Sequence, residues 1–105
     1  MANMIPNCRS YDPTYAYELT VIIQDGLKRM YADKENVFYY ITLMNENYSH
    51  PAMSKGVEQG IVEGMYLLRE GRQSAKKHVQ LMGCGTILRE VEAAADILRN
   101  EFDIE

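Results

Sequence analysis

Apolar residues recur at three- and four-residue steps over residues 13–32 and again over residues 86–102. This spacing places apolar side chains along one face and predicts two amphipathic helices. The first helix is expected to start at Asp12-Pro13, because a carboxylate can accept from free backbone amides and proline suits the first turn. The predicted buried stripes are Ala16, Leu19, Ile22, Ile23, Leu27 and Met30 in the first helix, and Ile87, Val91, Ala94, Ala95, Leu98 and Phe102 in the second.

Continuous apolar stretches predict the strands. Residues 37–44 are rich in β-branched and aromatic side chains without alternation, which is typical of a strand covered on both faces. Shorter stretches predict strands at residues 4–11, 65–68 and 78–82. Residues 45–60 contain proline and glycine with few apolar residues and are interpreted as a linker. Strands that alternate with helices indicate an α/β layer with parallel strands.

These elements are too few to complete the sheet that they predict. A strand that is apolar on both sides needs helices above and below it, and a long unstructured connection is unusual inside one small domain. We therefore expect a segment of a larger protein, with the end of one α/β domain at residues 1–44, a linker at residues 45–60 and the start of a second α/β domain at residues 61–105. The alternative is a small self-contained α/β domain that dimerises to cover its surfaces.

Composition narrows the function classes. The chain is 47% hydrophobic and 25% charged, as in a folded globular protein. Its net charge of -4 provides no overall positive field, so nucleic acid is not expected as a partner. The sequence has neither an apolar run of roughly 18 residues nor a secretory start, so we expect a cytoplasmic protein without a membrane segment. Cys8 and Cys84 have no partners at zinc spacing and are expected to be free thiols.

A glycine-rich turn, Gly83-Cys84-Gly85, joins a predicted strand to the second helix. Such turns let backbone amides at a helix start approach an anion, which gives one function hypothesis, a small nucleotide- or anion-binding module. Leu88 stands where the dinucleotide fingerprint would have its third glycine, so an ordinary strand-to-helix turn is the favoured interpretation. A helix start would stabilise a Cys84 thiolate, although a small packed residue is the favoured role.

Four polar residues follow the carboxyl end of the predicted strand at residues 37–44. Parallel α/β sheets bind their ligands at this edge, so these side chains could point into a site. A strand-end turn that satisfies its own backbone is the alternative, and the pattern leaves both open. His50 and His78 lie at no spacing that suggests a catalytic triad and are interpreted as solvated. The four polar residues are Asn45, Glu46, Asn47 and Tyr48.

Long ordered strings carry a family resemblance. They are residues 5–18 (IPNCRSYDPTYAYE), 35–42 (ENVFYYIT), 45–48 (NENY) and 79–89 (VQLMGCGTILR), with shorter matches at residues 58–61 and 64–67. These strings closely resemble the homodimeric, bacterial-type pyruvate dehydrogenase, the decarboxylating first component of the pyruvate dehydrogenase complex. The resemblance covers nearly the whole chain.

The resemblance implies a thiamine diphosphate enzyme with a transketolase-like plan of three α/β domains. Residues 1–44 then correspond to the end of the pyrimidine-binding domain, residues 45–60 to the linker and residues 61–105 to the start of the C-terminal domain. Members of the family are homodimers that decarboxylate pyruvate and pass the acetyl unit to a lipoyl group of the acetyltransferase component. The cofactor carries this chemistry, with magnesium holding its diphosphate.

The family's catalytic motifs have no counterpart in this sequence. The Gly-Asp-Gly motif for magnesium and diphosphate is missing, and the nearest string, Gln24-Asp25-Gly26, lies in a predicted helix. The resemblance therefore implies no catalytic, cofactor or metal residue here, and the chain is expected to be inactive alone. Related sugar-phosphate transketolases have a phosphate-binding arginine at the position of Asn45. A neutral Asn45 suits pyruvate, which has no phosphate, and the resemblance places the four polar residues at the substrate mouth.

Overall fold

The computed structural model describes residues 4–105, so the first three residues of the predicted first domain lie outside it. In chain order the elements are β1 (Cys8–Tyr11), α1 (Ala16–Leu27), β2 (Phe38–Ile41), α2 (Glu58–Glu63) and α3 (Ile87–Phe102), and a π-helical turn, Lys28–Ala32, extends α1. The two strands pair in parallel, with Cys8 opposite Phe38 and Tyr11 opposite Ile41. Two parallel strands joined by α1 form a βαβ unit, and the predicted α/β class is confirmed.

The first helix starts three residues later than predicted. Its N-cap is Tyr15, and Glu18 supplies the capping carboxylate, which accepts from the amides of Thr14 and Tyr15. The assignment of Asp12 as the cap was wrong, because the Asp12 carboxylate instead accepts the hydroxyl hydrogen of Thr42 at the end of β2. A reciprocal glutamate at the third helical position is a common way to satisfy free amides at a helix start.

The apolar stripe of α1 is covered in part. Ile22 is only 2% exposed, Leu19 and Met30 are half-buried, and Gly26 lies against the ring of Tyr39. In contrast, Ala16, Ile23 and Leu27 are exposed, so the prediction of a buried stripe was wrong at these three positions. The sheet beside α1 has two strands and covers only the part of the helix that faces it.

The strand predicted over residues 37–44 is shorter and more exposed than expected. β2 covers four residues, and its Phe38 and Tyr40 side chains are 43% and 55% exposed. The expectation that both faces are covered is wrong for this chain, because α1 packs on one face while Phe38 and Tyr40 on the other face stay exposed within residues 4–105. β1 is likewise shorter than the predicted strand at residues 4–11.

The strands predicted at residues 65–68 and 78–82 do not form in the described chain. One isolated bridge joins Lys77 to Ile104. Next to it, the amide of residue 105 donates to the carbonyl of residue 77, and the carbonyl of residue 105 accepts from the amide of residue 79. β-branched and apolar residues favour an extended chain, but a strand also needs a neighbour with which to pair. α2 begins inside the predicted linker and ends at Gly64, whose φ is +89°.

α3 covers residues 87–102, one residue shorter than predicted, but its apolar stripe is not a packed core. Val91, Ala95 and Leu98 are half-buried, whereas Ile87 and Phe102 are 60% and 61% exposed. Ala94 is exposed as well, so the predicted stripe is wrong at three of its positions. The helix borders an open cavity along the half-buried face.

Two arginines bind the Glu105 carboxylate. Arg99 donates from Nε at 2.7 Å and from Nη2 at 3.0 Å, and Arg72 donates from Nε. The Arg99 and Arg72 hydrogen bonds lower the pKa of Glu105 to about 2. Together with the bridge at Ile104, these contacts fix the end of the described chain against residues 72–79.

We expect Glu105→Gln to lower stability at neutral pH and to have progressively less effect in acid. Because the folded-state pKa is depressed, the contribution of Glu105 is complete above its ordinary pKa of 4.5 and disappears as the pH falls towards 2. Urea unfolding of both chains between pH 7 and pH 2 measures this difference. Glu101→Gln, on the exposed side of α3, is the control. A parent-to-variant difference that stays constant over the whole pH range contradicts the assignment.

Candidate functional site

A cavity of about 690 Å³ lies between the three helices and the extended segments at residues 64–71 and 79–84. Aliphatic side chains form much of its wall, among them Ile22, Ile61, Leu88, Val91 and Leu98. Polar side chains also line it, among them Glu18, Glu92 and Tyr66. An apolar cleft with a few convergent polar groups is the usual form of a ligand site, and it is also the form of an incomplete core.

Glu18 is the centre of a hydrogen-bond cluster on this cavity. It is 7% exposed, and its Oε2 accepts from the amides of Thr14 at 2.6 Å and Tyr15 at 2.9 Å. Its Oε1 accepts the hydroxyl hydrogen of Tyr66, whose oxygen lies 2.6 Å from that of Tyr17. Burial and the hydrogen bond with Glu18 raise the pKa of Tyr66 far above its ordinary value. These phenols are therefore neutral hydrogen-bond donors at physiological pH.

A third phenol, that of Tyr15, joins the start of α1 to α3. The Tyr15 hydroxyl donates to Oε2 of Glu92, and burial together with that carboxylate raises the pKa of Tyr15. Tyr15 is itself 5% exposed and stacks on Tyr17, with ring centroids 5.7 Å apart. The N-terminal turn of α1 is thus fixed to segments on both sides of the cavity.

The Gly83-Cys84-Gly85 turn lies against the end of β1. Gly85 has φ +53°, its amide donates to the Asp12 carbonyl at 3.0 Å, and its carbonyl accepts from the Thr14 hydroxyl at 2.8 Å. The Asp12 carboxylate lies directly beside Gly85. A negative group at this position repels an anion, so the geometry does not favour a nucleotide- or anion-binding turn.

Cys84 differs from both interpretations of the sequence. Its side chain is exposed, so the favoured role as a small packed residue was wrong. Local burial and the neighbouring Asp12 carboxylate raise the pKa of the thiol, which is the opposite of the thiolate stabilisation expected at a helix start.

The structure brings two of the four predicted substrate-mouth residues together at α3. Glu46 Oε2 is 3.2 Å from Nη1 of Arg89, and the Arg89 guanidinium lies over the Tyr48 ring, 4.8 Å from its centroid. The Tyr48 hydroxyl donates to the carbonyl of Thr14. Asn45 and Asn47 are exposed. The four residues therefore divide into two that contact the body of the chain and two that face outwards.

His50 and His78 are both exposed, as the interpretation of solvated side chains requires. His50 nevertheless has specific contacts: its Nδ1 accepts from the Ala16 amide at 3.1 Å, and its ring centroid is 4.4 Å from that of Tyr48. Sequence reasoning also missed Glu18 and Arg89. The spacing of Glu18 three residues after the N-cap is a capping signal that could have identified it, whereas nothing local marks Arg89 as the partner of Glu46.

The described residues do not fit a magnesium-diphosphate centre. Within residues 4–105 no three His, Cys, Asp or Glu side chains are arranged to hold a metal ion. Three of the carboxylates that line the cavity, those of Glu18, Glu92 and Asp12, already accept hydrogen bonds from protein donors. We therefore assign no residue of this segment to such a group. No helix within the same range is long and apolar enough to cross a membrane.

Comparisons with known proteins agree with the resemblance. The family described as "Pyruvate dehydrogenase E1 component middle domain" matches residues 1–51. The pyruvate dehydrogenase E1 component of Pseudomonas aeruginosa is 62% identical over 104 residues, which are 99% of this chain and 12% of that protein. Those of Cupriavidus necator and Escherichia coli K12 are 60% and 56% identical over 96% and 95% of this chain, and 11% of each relative.

The chain thus spans about 12% of the length of the curated relatives that it matches. Its similarity to them continues through both halves, beyond the residues that the middle-domain family covers. The predicted resemblance is confirmed: over nearly its whole length, the chain is similar to one segment of pyruvate dehydrogenase E1 components.

Proposed function

We propose that this chain acts as part of a pyruvate dehydrogenase E1 component. Residues 1–44 would form the end of its pyrimidine-binding domain, residues 45–60 the linker and residues 61–105 the start of its C-terminal domain. The observation that carries the proposal is 62% identity over 99% of the chain to a protein named as that component. Identity at this level over a whole segment supports a shared backbone and a shared role.

The proposed activity is oxidative decarboxylation of pyruvate and transfer of acetyl to the lipoyl group of the acetyltransferase component, in a cytoplasmic homodimer. Thiamine diphosphate with magnesium would supply the carbanion chemistry, held by regions outside this segment. This chain would contribute Asn45, Glu46, Asn47 and Tyr48 to the substrate mouth. The placement of these four residues after the carboxyl end of β2 supports that role.

The surfaces of the chain support a role within a larger body. Phe38, Tyr40 and Leu43 on and after β2 are 43–64% exposed, and the extended segments beside the cavity belong to no strand within residues 4–105. Contiguous apolar surface of this kind is normally covered by other parts of a protein. We therefore expect the isolated chain to be inactive.

A hybrid enzyme tests the proposal. The 105 residues of this chain replace the matching segment of the Pseudomonas aeruginosa E1 component, and decarboxylation of pyruvate and reduction of the lipoyl group are measured. We expect the hybrid to assemble and to retain both activities, and the same enzyme without the segment to have neither. A hybrid that assembles with bound thiamine diphosphate but is inactive contradicts the proposed function.

In that hybrid, Asn45→Ala is expected to raise the KM for pyruvate or to slow lipoyl reduction. The loss of one neutral hydrogen bond to a substrate corresponds to a roughly 3- to 10-fold effect. Steady-state kinetics at varied pyruvate measure the first effect, and single-turnover reduction of a lipoyl domain measures the second. Asn100→Ala, which removes an exposed amide from α3, is the matched control. Unchanged kinetics for both reactions would remove Asn45 from the site.

A further inference from the structure

Alternate residues after β2 face in different directions. Glu46, Tyr48 and His50 contact other elements, through Arg89, the Thr14 carbonyl and the Ala16 amide respectively. Asn45 and Asn47 lie between them in sequence and are exposed. The segment at residues 45–48 is therefore held by the side chains of Glu46 and Tyr48, and it exposes the side-chain amides of Asn45 and Asn47.

Arg89 is the residue of α3 that holds this segment. Its guanidinium contacts Glu46 at 3.2 Å and lies 4.8 Å from the Tyr48 ring centroid, so one side chain contacts both anchoring residues. Residues 42–57 contain no helix or strand whose backbone pairing could fix the side-chain amides of Asn45 and Asn47. Side-chain contacts therefore determine where Asn45 and Asn47 point.

We infer that Arg89 is a positioning residue for substrate, acting through Glu46 and Tyr48 to hold Asn45 and Asn47 at the substrate mouth. The inference rests on the proposed function, because it takes the substrate to be the one that the E1 component binds. It also assigns a role in the active site to a helix of the second half of the chain. Neither Glu46 nor Tyr48 then needs to touch the substrate itself.

The chemistry of arginine suits this task. Its planar guanidinium can stack on the Tyr48 ring while one edge donates to the Glu46 carboxylate, an arrangement that a lysine ammonium reproduces only in part. The Glu46 side chain is 56% exposed and that of Arg89 39%, so the ion pair alone is weak and screened by solvent. The combination with the ring is what orders the segment.

The chain offers a matched control in Arg69. Arg69 forms an ion pair of similar length, 3.0 Å, with Asp96 of α3, the helix that carries Arg89. The Arg69 side chain is 38% exposed. Arg69→Met and Arg89→Met therefore remove the same chemical group from similar surroundings. They differ in that only the Arg89 pair holds residues 45–48.

The kinetic test uses the hybrid enzyme. We expect Arg89→Met to change the parameter that Asn45→Ala changes, by a roughly 3- to 10-fold effect, with partial rescue by Arg89→Lys and no change in Arg69→Met. The double variant Asn45→Ala/Arg89→Met should be no worse than the more severe single variant, because both changes remove the same contact with substrate. Multiplied losses, or parent-like kinetics for Arg89→Met, overturn the inference.

Limited proteolysis of the same hybrids gives a readout that does not require activity. We expect chymotrypsin to cleave after Tyr48 about tenfold faster in Arg89→Met than in the parent or in Arg69→Met, because a segment without its anchoring contacts enters a protease more readily. Equal cleavage in the two methionine variants overturns the positioning role even if the hybrid is inactive. An inactive hybrid in which cleavage after Tyr48 still responds to Arg89 contradicts the proposed function and leaves the contact established, so the two failures are distinguishable.

Discussion

Glu18→Ala is expected to lower the free energy of unfolding of this chain by about 3 kcal/mol or more, which is a large part of the stability of a domain this size. The substitution leaves the amides of Thr14 and Tyr15 without their acceptor at the buried start of α1. It also leaves the Tyr66 hydroxyl without the carboxylate to which it donates. Each unsatisfied buried donor costs about 1–3 kcal/mol. Two such donors, the amides of Thr14 and Tyr15, depend on Glu18, and so does the part-buried Tyr66 hydroxyl.

Urea unfolding followed by circular dichroism measures this loss. Glu18→Gln should be intermediate, because its amide oxygen still accepts but the charge that strengthens these hydrogen bonds is gone. The control is Glu90→Ala, which removes an exposed carboxylate from the first turn of α3 and should change stability by less than about 0.5 kcal/mol. Similar losses for Glu18→Ala and Glu90→Ala would mean that the cluster does not stabilise the fold.

The elements of the first half follow from local sequence. The periodicity of residues 13–32 and the β-rich residues 37–44 locate α1 and β2, and the parallel pairing follows from their alternation. The exact start of α1 could not be predicted from local sequence, because Asp12-Pro13 and Glu18 are both capping signals. The tertiary contact of Asp12 with Thr42 and Gly85 decides between them. Local patterns rank such alternatives poorly when both satisfy the same amides.

The second half could not be predicted to the same extent, because its strands depend on neighbours that the local pattern does not specify. Residues 78–82 have the composition of a strand, yet in the described part of the chain they form none: the Val79 amide donates to the carbonyl of residue 105, next to the bridge at Lys77. The same applies to the site. The placement of residues 45–48 after β2 was visible in the sequence, whereas the contact between Glu46 and Arg89 joins residues 43 positions apart and has no local signature.

Gly85→Ala is expected to destabilise the chain by about 2–4 kcal/mol, from two causes that can be separated. A φ of +53° costs an L-residue about 1–2 kcal/mol. A Cβ at this position would also overlap the Asp12 carboxylate. Moving that carboxylate disturbs the hydrogen bond that it accepts from the Thr42 hydroxyl at the end of β2. It also disturbs the backbone hydrogen bond from the Gly85 amide to the Asp12 carbonyl. Alanine would therefore loosen the junction between the two halves of the chain.

Two further variants separate the causes, with urea unfolding as the measurement. Gly56→Ala has a similar φ of +78° but nothing within 4 Å of the new Cβ, so it should show the backbone cost alone, about 1 kcal/mol. In an Asp12→Ala background the overlap is gone, and the further cost of Gly85→Ala should fall to the same value. Gly85→Ala could also lower stability equally with and without the Asp12 carboxylate. In that case the close approach of Asp12 does not explain the glycine, and the positive φ alone accounts for it.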